Sequence, residues 1–348
     1  MLKSKQRISL VLFSVAYWML VAFYFITVRY AGLGAYAPPD LHYTVVITYG
    51  AVVGFFIGLL FGLFPLNHFL HFKKRRSFLA VVLTGTCCYI VFFMAVIFCA
   101  SLYDNTPRFA LRYLFSANGM TVLFHLFAAS LLYHFILQAN KKFGPGILLE
   151  YTFGKYFTPK EEERAFMFLD LKSSTRLAET LEHVAYSRMI QDCYAELTVP
   201  LIQYRAQVYQ YVGDEVVLSW KIDQFFSGAS CYGFFYDFNR RLEIKKDHFL
   251  QQYGIRPVFK AGLHCGRVTV AEVGEIKTEI AYHGDVLNTA SRIQSLCNEF
   301  QKELLVSEAF TEYVPATDRR RIGFVSGVTL RGKEAVTKIY TITEPMTR

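Results

Sequence analysis

The run AFMFLD (165–170), followed by Ser173, Ser174 and Thr175, decides the fold of the second half of the chain. A short apolar run that ends on a carboxylate and meets a cluster of hydroxyls reads as a buried strand, a turn and a helix start. The helix is predicted over about 174–203, with Leu177, Leu181, Val184, Met189, Ile190 and Leu197 supplying its apolar stripe. Next come 208–212 and 215–220, two β-rich runs around Gly213-Asp214. That pattern predicts a tight hairpin with an acid at its tip. A second helix is predicted over 223–246, then strands over 256–264, 267–273 and 279–283. Asp285 starts a third helix to about Phe300, and short strands close the chain near 303–306, 322–330 and 337–343.

Upstream of this block the chain changes character. Residues 1–140 of the 348 carry 10 Lys and Arg against Asp40 and Asp104 alone, whereas the remainder holds 27 basic and 26 acidic residues. The net charge of +9 therefore lies almost wholly in the first half. The polar half that could meet a phosphate backbone is close to neutral, which excludes a nucleic-acid footprint. Four stretches near 8–28, 43–64, 78–101 and 115–138 contain no Asp, Glu, Lys or Arg. Each is long enough to cross a hydrocarbon core of ~30 Å, and none has a polar face to turn to water. The first is too long, and too poor in an A-x-A-like exit, for a cleaved signal peptide, so it is read as a retained anchor.

Charges in the connections set the expected orientation. Lys3, Lys5 and Arg7 precede the first span, Lys73, Lys74, Arg75 and Arg76 separate the second from the third, and Lys141 and Lys142 follow the fourth. The outer connections hold only Arg29, Arg108 and Arg112 beside the two acids. The positive-inside bias then places both termini in the cytoplasm of a cell or inner-membrane protein. The expected organisation is a membrane domain at 1–142, a connector at 143–163 and a soluble domain at 164–348. Gly144-Pro145-Gly146 breaks the last membrane helix. Thr158–Glu163 (TPKEEE) reads either as a helix start or as a solvated acidic loop. His125 and His134 are nine apart in the fourth span. That is about 900° of helix rotation, so they face opposite ways and form no paired ligand set. The seven cysteines show no C-x-x-C spacing, and those of the second half read as small buried hydrophobes.

Chemistry concentrates in two places. Asp170 and Asp214 each leave a β run at a turn. Carboxylates brought together by neighbouring strands suit Mg²⁺, and two metals ~3.5–4 Å apart can clamp the attacking and leaving oxygens of a displacement at phosphorus. On spacing alone the same residues also fit a helix cap and a turn residue. Asn288 and Arg292 stand four apart on one helix face. Together they suit ribose and phosphate oxygens, and they equally suit a solvated helix surface. The glycines at 262, 266 and 274 are weak phosphate-loop signals, and the chain has neither a Walker motif nor a dinucleotide fingerprint.

Four blocks in fixed order, FMFLDLKSST (166–175), YQYVGDEVV (209–217), KAGLHCGRVTVAEVG (260–274) and YHGDVLNTASRI (282–293), resemble the catalytic domain of class III nucleotidyl cyclases. The resemblance implies a ferredoxin-like α/β (α+β) cyclase domain, which the four-span α-helical membrane domain read above would hold in the cytoplasm. It also implies a head-to-tail homodimer and a nucleoside triphosphate substrate turned into cyclic nucleotide and pyrophosphate. Two Mg²⁺ or Mn²⁺ ions per site would be held by Asp170, Asp214 and the backbone carbonyl of Leu171. Asn288 and Arg292 would bind ribose and stabilise the transition state, and Arg331 or Lys333 would meet the outer phosphates.

The departure lies in base recognition. Adenylyl members usually carry Lys and Asp where this chain has Gln210 and Ala281. The amide of Gln210 still offers a donor and an acceptor to a base edge. ATP is the expected substrate, with GTP second, and a receptor that binds nucleotide without turning it over is the rival from another class.

Overall fold

The structure, a computed structural model, describes residues 2–32, 43–63, 77–102, 107–144, 147–332 and 334–344. The chain divides into two compact units, Met1–Leu148 and Leu149–Arg348.

The first unit is helical: α1 (Leu2–Gly32), α2 (Tyr43–Leu63), α3 (Phe78–Leu102), the short α4 (Pro107–Leu114) and α5 (Ala117–Phe143). Ser116 caps α5, its hydroxyl accepting the Gly119 N–H at 3.1 Å. The buried centre is aromatic, with Trp18, Phe61, Tyr89, Phe93 and Tyr133 in one cluster. α2 lies close on α1 because its contact positions are glycines. A β-carbon at Gly54 would sit 2.7 Å from the Trp18 carbonyl, and one at Gly58 2.4 Å from the Val15 Cα. Small residues at such contacts let helix backbones approach inside a membrane.

Three helices among the described residues are long and apolar enough to cross a membrane, over Ile8–Val28, Phe78–Cys99 and Ala117–Lys142. The second expected span falls short as a described element. Its apolar part, Ile47–Leu63, spans only about 25 Å at 1.5 Å per residue. Phe64, Lys73, Lys74, Arg75, Arg76, Pro145 and Gly146 lie outside the described residues, as do Asp40 and Asp104 of the outer connections. His125 packs its ring against Tyr24 and Phe25, whereas His134 packs against Tyr89 and bonds the Ser130 carbonyl through Nδ1 at 2.8 Å. The two histidines therefore serve different contacts.

The second unit opens on the end of α6 (Ile147–Thr152) and continues β1 (Lys160–Leu171), α7 (Ser174–Ala195), α8 (Thr198–Gln203), β2 (Gln207–Val212) and β3 (Glu215–Lys221). Then follow α9 (Ala229–Ile244), α10 (Lys246–Tyr253), β4 (Phe259–Val273), β5 (Glu279–His283), α11 (Asp285–Ser295) and β6 (Leu304–Ser307). α12 (Glu308–Thr311), a 3₁₀ turn (Ala316–Arg321), β7 (Ile322–Thr329) and β8 (Val336–Ile342) complete it. The mixed sheet runs β2-β3-β1-β4-β6-β8-β7, and β5 pairs with β4. Its first four strands are antiparallel neighbours in the ferredoxin-like order, and among the described strands only β4 and β6 run parallel. One apolar core, with Met167, Leu169, Leu218, Phe234 and Phe238, lies under the helices α7 to α10. A second, with Phe166, Val217, Val268 and Ala290, lies on the opposite face beneath α11.

Four local expectations are corrected. The TPKEEE stretch is neither a helix start nor a loop. β1 begins at Lys160, and Lys160–Glu163 pair with Arg267–Val270. The expected strands 256–264 and 267–273 are one strand, because Gly266 stays in the ladder opposite Arg164 instead of turning the chain. The helix expected over 174–203 ends at Ala195, and Pro200 lies in the separate α8. The helix expected over 223–246 starts only at Ala229. All four cysteines of this unit are buried and unpaired.

The glutamates of β1 are tolerated because one of them is neutralised in place. Glu162 accepts from Arg164 Nε at 2.9 Å, Tyr156 Oη at 3.0 Å and Lys221 Nζ at 3.2 Å. Burial pushes its carboxyl up, but the Arg164 charge and these bonds outweigh it and hold the group below the usual carboxylate range. A carboxylate depressed on folding adds stability above its unfolded pKa, and that stability fades as pH falls through the lower folded value. Glu162→Gln is therefore expected to cost about 1–3 kcal/mol at pH 7. The gap from wild type should close as urea unfolding is repeated down to about pH 3. A gap that stays constant with pH would remove the charge from the explanation.

Candidate active site

Strand pairing brings the two aspartates to one end of the sheet. Asp170 is the penultimate residue of β1 and lies opposite Glu215 on β3 and Lys260 on β4. Asp214 occupies the turn just before Glu215. Burial, with Asp170 and Asp214 beside it, pushes the Glu215 carboxyl up to about 7, against the pull of Lys260. The Asp170 carboxyl is also raised, by burial first and by Asp214, with Lys260 opposing. This end of the sheet thus concentrates more negative charge than Lys260 offsets.

Lys260 and Gln294 contact Asp170, and the reading of the sequence missed both. The ammonium lies 3.4 Å from Asp170 Oδ2, and Lys260 is only 8% exposed. Gln294 donates its Nε2–H to the same oxygen at 2.8 Å. A lone lysine within the otherwise uncharged FKAGLHC run was the available signal. Gln294 reaches the site because Gly262 lets α11 lie on β4. A β-carbon there would sit 2.3 Å from the Gln294 nitrogen and 2.5 Å from the Ala290 carbonyl.

Asn288 and Arg292 point elsewhere. Arg292 and Gln294 are two residues apart, a rotation of about 200°, so the helix face that touches Asp170 is opposite the one that carries Arg292. Asn288 is exposed, and Arg292 is half-buried. Among the described residues neither forms an ion pair or side-chain hydrogen bond with Asp170 or Asp214. The Arg292 guanidinium instead lies by the turn after β7, where a β-carbon at Gly332 would be 3.6 Å from Nη2. Arg331 is exposed on that turn, and Lys333 lies outside the described residues. Leu171 ends β1 with its side chain buried. Gln210 is exposed on β2, and Ala281 is half-buried on β5 opposite Ala271. The structure thus makes two clusters in one chain: carboxylates with Lys260, and Arg292 with Asn288 on the part of α11 turned away from Asp170.

The donor set fits a hard dication in part. Asp170 and Asp214 are carboxylates at one locus, with excess negative charge to be neutralised. Among the described residues no group of three His, Cys, Asp or Glu side chains is placed to hold a metal. Coordination would have to be completed by carbonyl, phosphate or water oxygens, as Mg²⁺ favours.

The chain is similar to known proteins. The chain is 31% identical over 189 residues to "Adenylate cyclase 2" of Rhizobium meliloti (strain 1021), covering 54% of this chain and 52% of that one. It is 32% identical over 83 residues to "Adenylate cyclase, terminal-differentiation specific" of Dictyostelium discoideum, covering 23% of this chain and 4% of that one. The chain therefore spans about half the length of the first relative and a small part of the second. A solved bacterial light-regulated adenylyl cyclase shares its fold with a TM-score of 0.54 at 18% identity, covering 69% of this chain and 72% of that one. Residues 158–344 match the family described as "Adenylate and Guanylate cyclase catalytic domain". By that match over more than half its length, the chain belongs to the adenylate and guanylate cyclase catalytic domain family.

Proposed function

We propose that this chain is a membrane-anchored adenylate cyclase that converts ATP to 3′,5′-cyclic AMP and pyrophosphate at sites shared between two copies. The observation that carries the reading is the separation of the two clusters: Asp170 and Asp214 at one sheet end, Asn288 and Arg292 on the helix face turned away from them. A single chain cannot bring both to one phosphate, whereas a head-to-tail pair gives each site a full set.

In that pair, Asp170, Asp214 and the Leu171 carbonyl would hold the metals, two Mg²⁺ or Mn²⁺ ions, which when bound make the ribose 3′-oxygen a better nucleophile and screen the triphosphate. Lys260, already beside Asp170, offers its ammonium to a phosphate oxygen of the same nucleotide. From the second copy, Asn288 orients the ribose and Arg292 meets the charge that develops at the α-phosphorus, with Arg331 or Lys333 on the outer phosphates. Losing one such preorganised donor typically costs ~10²–10³ in rate.

Base choice rests on Gln210 and Ala281. With no acid at 281, and with an amide at 210 that can rotate, ATP is expected over GTP by a margin well below the ~10⁴–10⁵ of a fully paired site. The full-length chain in lipid nanodiscs, given ATP, GTP, CTP and UTP at equal concentration with products identified by mass, tests this. Cyclic AMP in modest excess over cyclic GMP is the expected result. Dominant cyclic GMP would favour the second reading, a guanylate cyclase, which the missing Lys and Asp already commend. No cyclic product from any triphosphate would favour a non-catalytic receptor.

The anchor is read as four spans with both termini in the cytoplasm. The glycine contacts of α2 with α1 and the absence of charge from 43–64 support α2 as the fourth crossing. A cysteine introduced at Lys142 should react with a membrane-impermeant maleimide only from the cytoplasmic side; labelling from outside would reverse the topology.

A further inference from the structure

β2 and β5 carry the two proposed base-reading positions, Gln210 and Ala281, and each is an edge strand held by a single neighbour. β5 pairs with β4 alone, over Thr269–Val273, and no ladder joins it to β2, where Gln210 sits. Backbone hydrogen bonds therefore set the spacing between Ala281 and Gln210 only indirectly, through β4, β1 and β3. Side chains supply the direct link.

Two rings span the gap. Tyr209 is the extra residue of a bulge, since the β2–β3 register passes from Val208/Leu218 to Gln210/Val217. Its ring meets Tyr282 edge-on, with centroids 4.8 Å apart and planes at 72°. Each tyrosine is the sequence neighbour of a nucleotide-reading position. Bulges commonly re-aim the side chains beside them, so the ring pair and the reading pair are placed together.

Tyr282 is in turn held by a buried cation. Arg164, in the middle of β1 and 2% exposed, sets its guanidinium carbon 4.8 Å from the Tyr282 ring centre. Its Nε donates to Glu162 at 2.9 Å, and its Nη1 donates to Gln207 on β2 at 2.9 Å and to Ser219 on β3 at 3.2 Å. One side chain thus ties β1, β2, β3 and β5. Burying an arginine carries a desolvation cost of several kcal/mol that pairing only offsets. The metal end of the sheet does not use it, because Asp170 is six residues further along β1, about 20 Å away.

We infer that Arg164 is a positioning residue for base recognition, fixing Ala281 relative to Gln210 through its contacts with Tyr282 and Gln207. The inference rests on reading Gln210 and Ala281 as the base contacts. It assigns selectivity to a residue far from the phosphates, on a strand whose other end binds the metals.

The test is steady-state turnover of the full-length chain in nanodiscs, with ATP and GTP alone and in competition. Arg164→Met, which fills similar volume without charge, is expected to raise KM for ATP about tenfold while kcat stays within about threefold, the signature of misplacement at the base. The ratio of cyclic AMP to cyclic GMP should move by at least about threefold. Arg164→Lys, which keeps a cation over the ring, should recover most of both, and Tyr282→Leu should reproduce Arg164→Met. Unchanged KM and product ratio in Arg164→Met and Tyr282→Leu would overturn the inference, as would a loss confined to kcat that lysine does not rescue. If Arg164→Met does not fold, Tyr282→Leu decides by the same ratio. A ratio moved by Gln210→Ala, but by neither Arg164→Met nor Tyr282→Leu, leaves the base contacts standing and removes Arg164 from them. A ratio that neither Gln210→Ala nor Ala281→Asp moves overturns the base contacts and this inference together.

Discussion

Asp170→Ala is expected to lower cyclic nucleotide formation by at least ~10³-fold, because on the proposed reading it removes a metal-holding carboxylate from a reaction whose acceleration is mostly positioning and fixed charge. The fold should survive. The substitution deletes a half-buried carboxylate at a strand end, and the charge it relieves is repulsive: burial and Asp214 both raise its pKa, with Lys260 opposing. Its two bonds, from Gln294 and Lys260, are replaceable by water at that edge. Thermal unfolding of the variant should therefore stay close to that of wild type while activity vanishes. Wild-type turnover by a folded Asp170→Ala protein would remove the metal site from the account.

The sheet around this site was legible where its strands are apolar and end at acids or glycines. AFMFLD and the hairpin about Gly213-Asp214 fall where the apolar-run and turn signals place them. Charged strand ends were not legible. Lys160–Glu163 look like a helix start in isolation, and they form strand because β4 is long enough to pair with them and Arg164 neutralises Glu162. The same tertiary override hid Lys260 and Gln294. Neither has a local signature, and both matter only because α11 settles over Gly262 and β4 lies beside β1. Arg164 was invisible for a related reason: its partners Gln207, Ser219 and Tyr282 are 43, 55 and 118 residues away along the chain.

In the membrane unit composition did most of the work. Three apolar stretches form helices of spanning length, and a sequence with no charge over 20 residues leaves little else for them to be. The α1–α2 contact depends instead on glycine spacing, Gly54 and Gly58 lying one turn apart against Trp18 and Val15. A hydropathy reading does not register that pattern.

On the proposed reading, one chain lacks a complete site and two chains supply it. Asp214→Ala and Arg292→Ala should each be inactive as homodimers, the first without a metal-binding carboxylate and the second without the transition-state cation. Each heterodimer would contain one site with both defects and one with neither. Random pairing of equal amounts makes half the dimers heterodimers, each with one good site of two, so co-reconstituted variants should regain about a quarter of wild-type cyclic AMP production, given a residual loss of ~10³ in either parent. The measurement is cyclic nucleotide formed by the two variants co-expressed with different affinity tags, purified through both tags and assayed in nanodiscs. Activity near half of wild type in that doubly purified heterodimer is the predicted result. A demonstrated heterodimer as inactive as its parents would contradict the shared site.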